Sequence, residues 1–135
     1  MPKKSLGQNF LKDRSTLSKI VECGKVSNSD IILEIGPGTG NLTEKIVERE
    51  PKEFIVVEKD KDLSILLKKR FGNKITIINK DILTCYNEFK FDKEIKVFGN
   101  LPYNISTKIV CNWILKLEQD FWFSELILMF QKEVA

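Results

Sequence analysis

The stretch Ile31-Ile-Leu-Glu-Ile-Gly-Pro-Gly-Thr-Gly-Asn-Leu-Thr43 decides the fold. It opens on a β-rich apolar run without the alternation of a half-exposed strand, as expected of a strand buried on both faces of a sheet. Gly36, Gly38 and Gly40 then turn the chain, and Leu42, Ile46 and Val47 begin an apolar helical face that stops at Pro51. Working outward, the same alternation recurs. Residues 54–58, 75–79, 95–98 and 126–130 read as further buried strands. Leu63, Leu66 and Leu67 before Gly72 mark a helix, as do Ile109, Val110 and Trp113 within 106–117. Ahead of the first strand, Leu17, Ile20 and Val21 form another apolar face closed by Gly24. No internal repeat or linker interrupts the series. Strands alternating with helices predict an α/β, doubly wound, mostly parallel sheet with right-handed crossovers.

A chain of 135 residues suits one domain, burying roughly 65–70% of its unfolded surface. With 42% hydrophobic and 30% charged residues, the composition argues against disorder and against a membrane span. The longest apolar run, 126–130, is too short to cross a bilayer. The first 19 residues lack the apolar core and cleavage site of a signal peptide, so a cytoplasmic protein is expected. Cys23, Cys85 and Cys111 form no CxxC pair and histidine is absent, so neither a structural disulfide nor a metal site is expected. The lack of histidine also removes Ser-His and Cys-His chemistry. Catalysis must rest on carboxylates, amides or positioning. The formal charge is +3, concentrated in the N-terminal arm, where Lys3, Lys4, Lys12, Arg14 and Lys19 meet only Asp13. Such an arm is either a solvated terminus or a phosphate contact.

Ligands of doubly wound sheets bind beyond the carboxyl ends of the strands. The segments there are Glu34-Ile-Gly-Pro-Gly-Thr-Gly40, Glu58-Lys-Asp60, Lys80-Asp-Ile82 and Gly99-Asn-Leu-Pro-Tyr103. Glycines at 36, 38 and 40 permit positive φ and close approach of a ligand to the backbone. The dinucleotide fingerprint wants its third glycine at position 41, which is Asn41, and this counts against NAD. Acidic Glu34 and Glu58 suit a ligand with an amino group and a ribose diol but no pyrophosphate, such as S-adenosylmethionine. Glu58 is placed to accept from both ribose hydroxyls, and Asp81 from an adenine exocyclic amine. Taken singly, Glu58 or Asp81 reads equally well as a solvated strand-end residue; their joint placement with the glycine turn favours a site.

Asn100-Leu-Pro-Tyr103 is read as following the fourth strand. An adenine exocyclic amine is a poor nucleophile because its lone pair is delocalised into the ring. If the amide oxygen of Asn100 and the backbone carbonyl of Leu101 accept its two N–H bonds, that pair is localised and aimed by orientation and electrostatics, with no general base. Pro102 stiffens the turn, and Tyr103 offers a stacking face for an unstacked base. Alone, the tetrapeptide also reads as an ordinary turn.

Together these residues resemble the rRNA adenine N6,N6-dimethyltransferase family. The matching segments are Leu6-Gly-Gln-Asn-Phe-Leu11, Glu34 to Thr43, Val57-Glu58, Lys80-Asp81, Asn100-Leu-Pro-Tyr-Asn-Ile-Ser-Thr107 and Gln131-Lys-Glu-Val-Ala135. Pro37 and Asn104 look more like the bacterial small-subunit branch than the antibiotic-resistance branch that modifies large-subunit rRNA. The resemblance implies a Rossmann-like, S-adenosylmethionine-dependent methyltransferase domain over residues 1–135. It assigns Asn9, Leu11, Gly36, Gly38, Glu58, Asp81, Ile82 and Asn100 to the cofactor, and Asn100, Leu101, Pro102 and Tyr103 to the target base. The implied activity is dimethylation of two adjacent adenosines near the 3′ end of 16S rRNA in the immature small ribosomal subunit, by a monomer. Family members are roughly twice as long as the resemblance implies, so a C-terminally truncated domain is expected, lacking the last strands and a helical domain. The alternatives are a non-catalytic cofactor- or pre-ribosome-binding fragment, or an N6-adenine methyltransferase acting on another nucleic acid. DNA adenine or protein glutamine methylation would favour a second proline where Leu101 stands.

Overall fold

All five residues of Ile31–Ile35 are buried, and Ile32 and Leu33 expose no surface. A run of this kind is stable only with cover on both faces, each large side chain contributing about 1.5–3 kcal/mol on burial. In the computed structural model, which describes residues 14–85, 95–102 and 125–131, this run is the central strand β1. The described elements in chain order are α1 (Arg14–Cys23), β1 (Ile31–Ile35), α2 (Asn41–Val47), β2 (Glu53–Val57), α3 (Lys61–Phe71), a 3₁₀ turn (Gly72–Lys74), β3 (Thr76–Ile78), α4 (Ile82–Cys85), β4 (Ile95–Pro102) and β5 (Glu125–Gln131).

The strands form one sheet in the order β3-β2-β1-β4-β5, every neighbouring pair parallel. Ile31 pairs with Glu53 on one side and Ile95 on the other, so the strand order reverses at β1 and β4. That reversal is the switch point at which such sheets open a ligand crevice.

The sheet's two faces follow from the register. Ile32, Phe54, Val56 and Phe98 pack with Leu17 and Val21 of α1, Leu42 and Ile46 of α2, and Leu67 and Phe71 of α3. Ile31, Leu33, Ile35, Val57, Ile95 and Val97 are buried on the opposite face. Both faces of the central strands are therefore covered, as expected for a doubly wound fold. Gly24, just past α1, is the close approach: a Cβ there would stand 2.5 Å from Cζ of Phe98 and 2.8 Å from Cδ1 of Ile127. At the amino ends of the strands, Lys96 donates to Asp30 Oδ2 and to the Lys25 carbonyl, both at 3.1 Å. Asp30 also accepts from the Ser27 amide at 2.8 Å.

Two details differ from the sequence reading. Strand β4 does not stop at Phe98 but runs to Pro102, with Gly99, Asn100, Leu101 and Pro102 paired to Leu128, Met129, Phe130 and Gln131. Pairing with a long apolar neighbour holds this Gly/Asn/Pro-containing stretch extended against its weak strand propensity. Within α3, Leu66 is 46% exposed while Ser64 is buried, because the Ser64 hydroxyl donates to the Asp60 and Glu58 carbonyls. The helix expected at 106–117 lies outside the described residues. Among the described residues, no helix is long and apolar enough to cross a membrane.

Candidate active site

The glycine turn between β1 and α2 is built at the carboxyl end of the central strand. Gly36, Gly38 and Gly40 all have positive φ, at 65°, 61° and 97°. The Gly36 amide donates to the Val57 carbonyl, and the Gly40 amide to the Pro37 carbonyl, each at 3.0 Å. These glycines serve different ends. A Cβ on Gly40 would lie 2.9 Å from both Leu67 and Phe71, so α3 fills that side. A Cβ on Gly38 would meet nothing within 4 Å. The loop therefore packs against protein at Gly40 and presents open backbone at Gly38.

Glu58, just past β2, meets the loop at the Gly38 amide rather than on that open side. Its Oε1 accepts from the Gly38 amide at 3.3 Å and its Oε2 from the Asp60 amide at 2.8 Å. Asp60 in turn caps α3, accepting from the Asp62 and Leu63 amides. One three-residue turn thus converts the end of β2 into a helix start and fixes a carboxylate against the glycine loop. The Asn79 side chain braces the same turn, donating to the Glu58 carbonyl at 2.8 Å and the Lys59 carbonyl at 3.1 Å. After β3, Asp81 Oδ1 accepts from the Leu83 amide at the start of α4, and Ile82 beside it is 5% exposed. The backbone of Asn100, Leu101 and Pro102 closes β4 next to β1, at the same carboxyl edge.

Glu34 is placed otherwise than the sequence suggested. Its side chain has no exposed surface and points under the loop, where Oε1 accepts from the Thr43 hydroxyl of α2. Oε2 has no hydrogen-bond partner among the described residues. Burial pushes its pKa up, against the Thr43 hydrogen bond and with help from the nearby charge of Glu58, to about 8. A largely neutral acid therefore lies beneath the loop at pH 7, as desolvation of an unpaired carboxylate demands.

The family model for ribosomal RNA adenine dimethylase matches residues 2–135. The chain belongs to this family. Within the dimethylase family, it is 57% identical over 133 residues to the ribosomal RNA small subunit methyltransferase A of Pelagibacter ubique, covering 98% of this chain and 50% of that protein. A dimethyladenosine transferase structure from Plasmodium falciparum superposes with TM-score 0.69 at 32% identity, covering 87% of this chain and 42% of that one. The 23S rRNA methyltransferase ErmE follows at TM-score 0.65 and 28% identity, covering 76% and 41%. The chain spans about half the length of the curated relatives it matches. Its parallel sheet is thus the α/β methyltransferase fold of the dimethylase family.

Of the residues singled out from sequence, Gly36, Gly38, Glu58, Asp81 and Ile82 gather along one edge of the sheet, and the backbone of Asn100, Leu101 and Pro102 joins them. Asn9, Leu11 and Tyr103 lie outside the described residues. Three supports of the site were missed: Thr43 beneath the loop, Asn79 behind Glu58, and Arg70 on α3, whose guanidinium donates to the Thr39 carbonyl at 2.9 Å. Each is a polar side chain whose partner is distant in sequence, so no local pattern marks it. For Thr43 alone there was a hint, a hydroxyl on the predicted apolar face of α2.

Proposed function

We propose that the protein acts as a monomeric S-adenosylmethionine-dependent methyltransferase that dimethylates N6 of two adjacent adenosines near the 3′ end of 16S rRNA, in immature small ribosomal subunits. Membership of the dimethylase family supports the reaction class. The observation that carries the cofactor assignment is a glycine loop open at Gly38 whose backbone amide is held by the Glu58 carboxylate. The residues present fit the group: backbone that a side chain would obstruct, an acceptor carboxylate for a diol, and Asp81 with buried Ile82 at the next strand end for an adenine ring. Asn9 and Leu11 complete the proposed set from the N-terminal arm.

Bound S-adenosylmethionine supplies an electrophilic sulfonium methyl. The protein's own part is to orient and polarise. Gly36 and Gly38 admit the ligand to the backbone, and Glu58 accepts from the ribose hydroxyls. The Asn100 amide oxygen and the Leu101 carbonyl accept from the target amine and localise its lone pair, an interaction that matters most in the transition state. Pro102 limits the freedom of the Leu101 carbonyl, and Tyr103 supports the unstacked base. No step calls for a histidine.

The reading is tested by transfer of tritiated methyl from S-adenosylmethionine to immature small subunits, followed by analysis for mono- and dimethyladenosine. Asn100→Ala is expected to abolish transfer while leaving most cofactor affinity. Equal losses of both would remove Asn100 from the chemistry, and no transfer by the wild-type protein would overturn the proposed activity.

A further inference from the structure

Arg70, in the last turn of α3, reaches back across the fold to the glycine loop. Its Nη1 donates to the Thr39 carbonyl at 2.9 Å, and its Nη2 to Glu44 Oε2 of α2 at 2.8 Å. The guanidinium carbon lies 4.9 Å from the centroid of the Phe71 ring. Nη1 also stands 3.3 Å from where a Cβ of residue 40 would be. One planar group therefore holds a loop carbonyl, the first turn of the following helix and the underside of Gly40. The Arg70 and Glu44 side chains are 37% and 50% exposed, and an ion pair so wet adds little to global stability. Its effect is local. A loop with glycine at every second position has unusually wide backbone freedom to lose, and a charge-assisted bond to its Thr39 carbonyl restricts that freedom.

We propose that Arg70 is a positioning residue of the methyl-donor site, fixing the Thr39 carbonyl so that Gly38 keeps its amide on Glu58 and its other side open. The inference rests on the reading of the glycine loop as that site. It assigns to α3, which carries none of the proposed ligand contacts, control over the affinity of the loop. Lysine is a poor substitute, since a single ammonium cannot reproduce the planar fork that spans Thr39 and Glu44.

The test is calorimetric titration of the protein with S-adenosylhomocysteine, together with steady-state methyl transfer. Arg70→Ala is expected to weaken binding about tenfold, the loss of one charge-assisted hydrogen bond, and to raise KM for the methyl donor with kcat unchanged. Arg70→Lys should fall between the two and provides a second, conservative variant. Glu44→Gln, which weakens the ion pair but leaves the Thr39 bond, should stay within about twofold of wild type. Wild-type affinity in Arg70→Ala, an equal loss in Glu44→Gln, or a loss confined to kcat would each overturn the proposal. Failure of the wild-type protein to bind S-adenosylhomocysteine would overturn the cofactor reading and this proposal with it.

Discussion

The Gly38 amide and the Glu58 carboxylate are joined at 3.3 Å across the gap between the β1 and β2 connections. Glu58 thus has one oxygen on the glycine loop and the other on the Asp60 amide, and it is only 7% exposed. Glu58→Ala is expected to weaken S-adenosylmethionine binding by about 1–3 kcal/mol, since acceptor bonds to a charged group are lost. Calorimetry with unchanged affinity would contradict the ribose assignment. Titration with NAD should give no binding heat.

Gly38→Ala and Gly40→Ala separate binding from packing. Both place a Cβ at positive φ, a strain of roughly 1–2 kcal/mol. At Gly40 the new methyl also collides with Leu67 and Phe71, so thermal stability and affinity should fall together. At Gly38 the methyl enters open space. There, affinity should fall by more than the loss in unfolding free energy accounts for.

Gly24→Ala should destabilise the fold by about 1–3 kcal/mol through overpacking. Phe98 and Ile127, which the methyl would strike, are core side chains of β4 and β5 rather than flexible surface ends. Urea unfolding measures the loss. Because the atoms nearest that methyl belong to Phe98 and Ile127 and not to the glycine loop, S-adenosylmethionine affinity of the folded fraction should be unchanged.

Two acids, Glu34 fully buried and Asp30 partly so, give stability opposite pH dependences. Glu34 has its folded pKa raised from 4.5 to about 8. Its neutral form favours the fold, so this contribution is fully present below pH 4.5 and is lost as pH rises toward 8. Burial alone would raise Asp30 too, but the Ser27 amide and then Lys96 outweigh it and leave its pKa lowered from 3.8. That contribution is present above pH 3.8 and is lost as pH falls through the folded value. Glu34→Gln should therefore flatten the decline between pH 5 and 8 in urea unfolding, a difference on the order of a few kcal/mol. A decline of unchanged size in Glu34→Gln would place its origin elsewhere.

The strands were legible because a parallel sheet buries both faces of its central strands, so Ile31 to Ile35 appears as an apolar run broken only by Glu34, and 126–130 as an unbroken one. The placement of Glu58 and Asp81 was legible because both stand just past strand ends. What was hidden depends on partners remote in sequence. Glu34 looked like a residue facing the ligand, and nothing local reveals that Thr43 draws it into the interior. Asn100 to Pro102 looked like a turn because their extended form is imposed by β5. Arg70 looked like one of several basic residues ending α3, and nothing local marks its bond to a carbonyl 31 residues earlier.

The placement of β4 beside β1 also constrains how the domain comes into being. Ile31 pairs with Ile95, so the central ladder joins segments separated by most of the described chain, and its loop-closure entropy must be overcome before the pairing gives anything back. The glycine loop, Glu58 and Asp81 are laid out by the β1–β2–β3 half, yet the Asn100 edge exists only once this remote pairing forms. A chain emerging from the ribosome therefore displays the glycine loop, Glu58 and Asp81 well before it displays the Asn100 edge. Refolding rates should respond to Asp30 and Lys96, which lock the start of that ladder, far more than to Glu58, and ligand present during refolding should act on whichever half is already assembled.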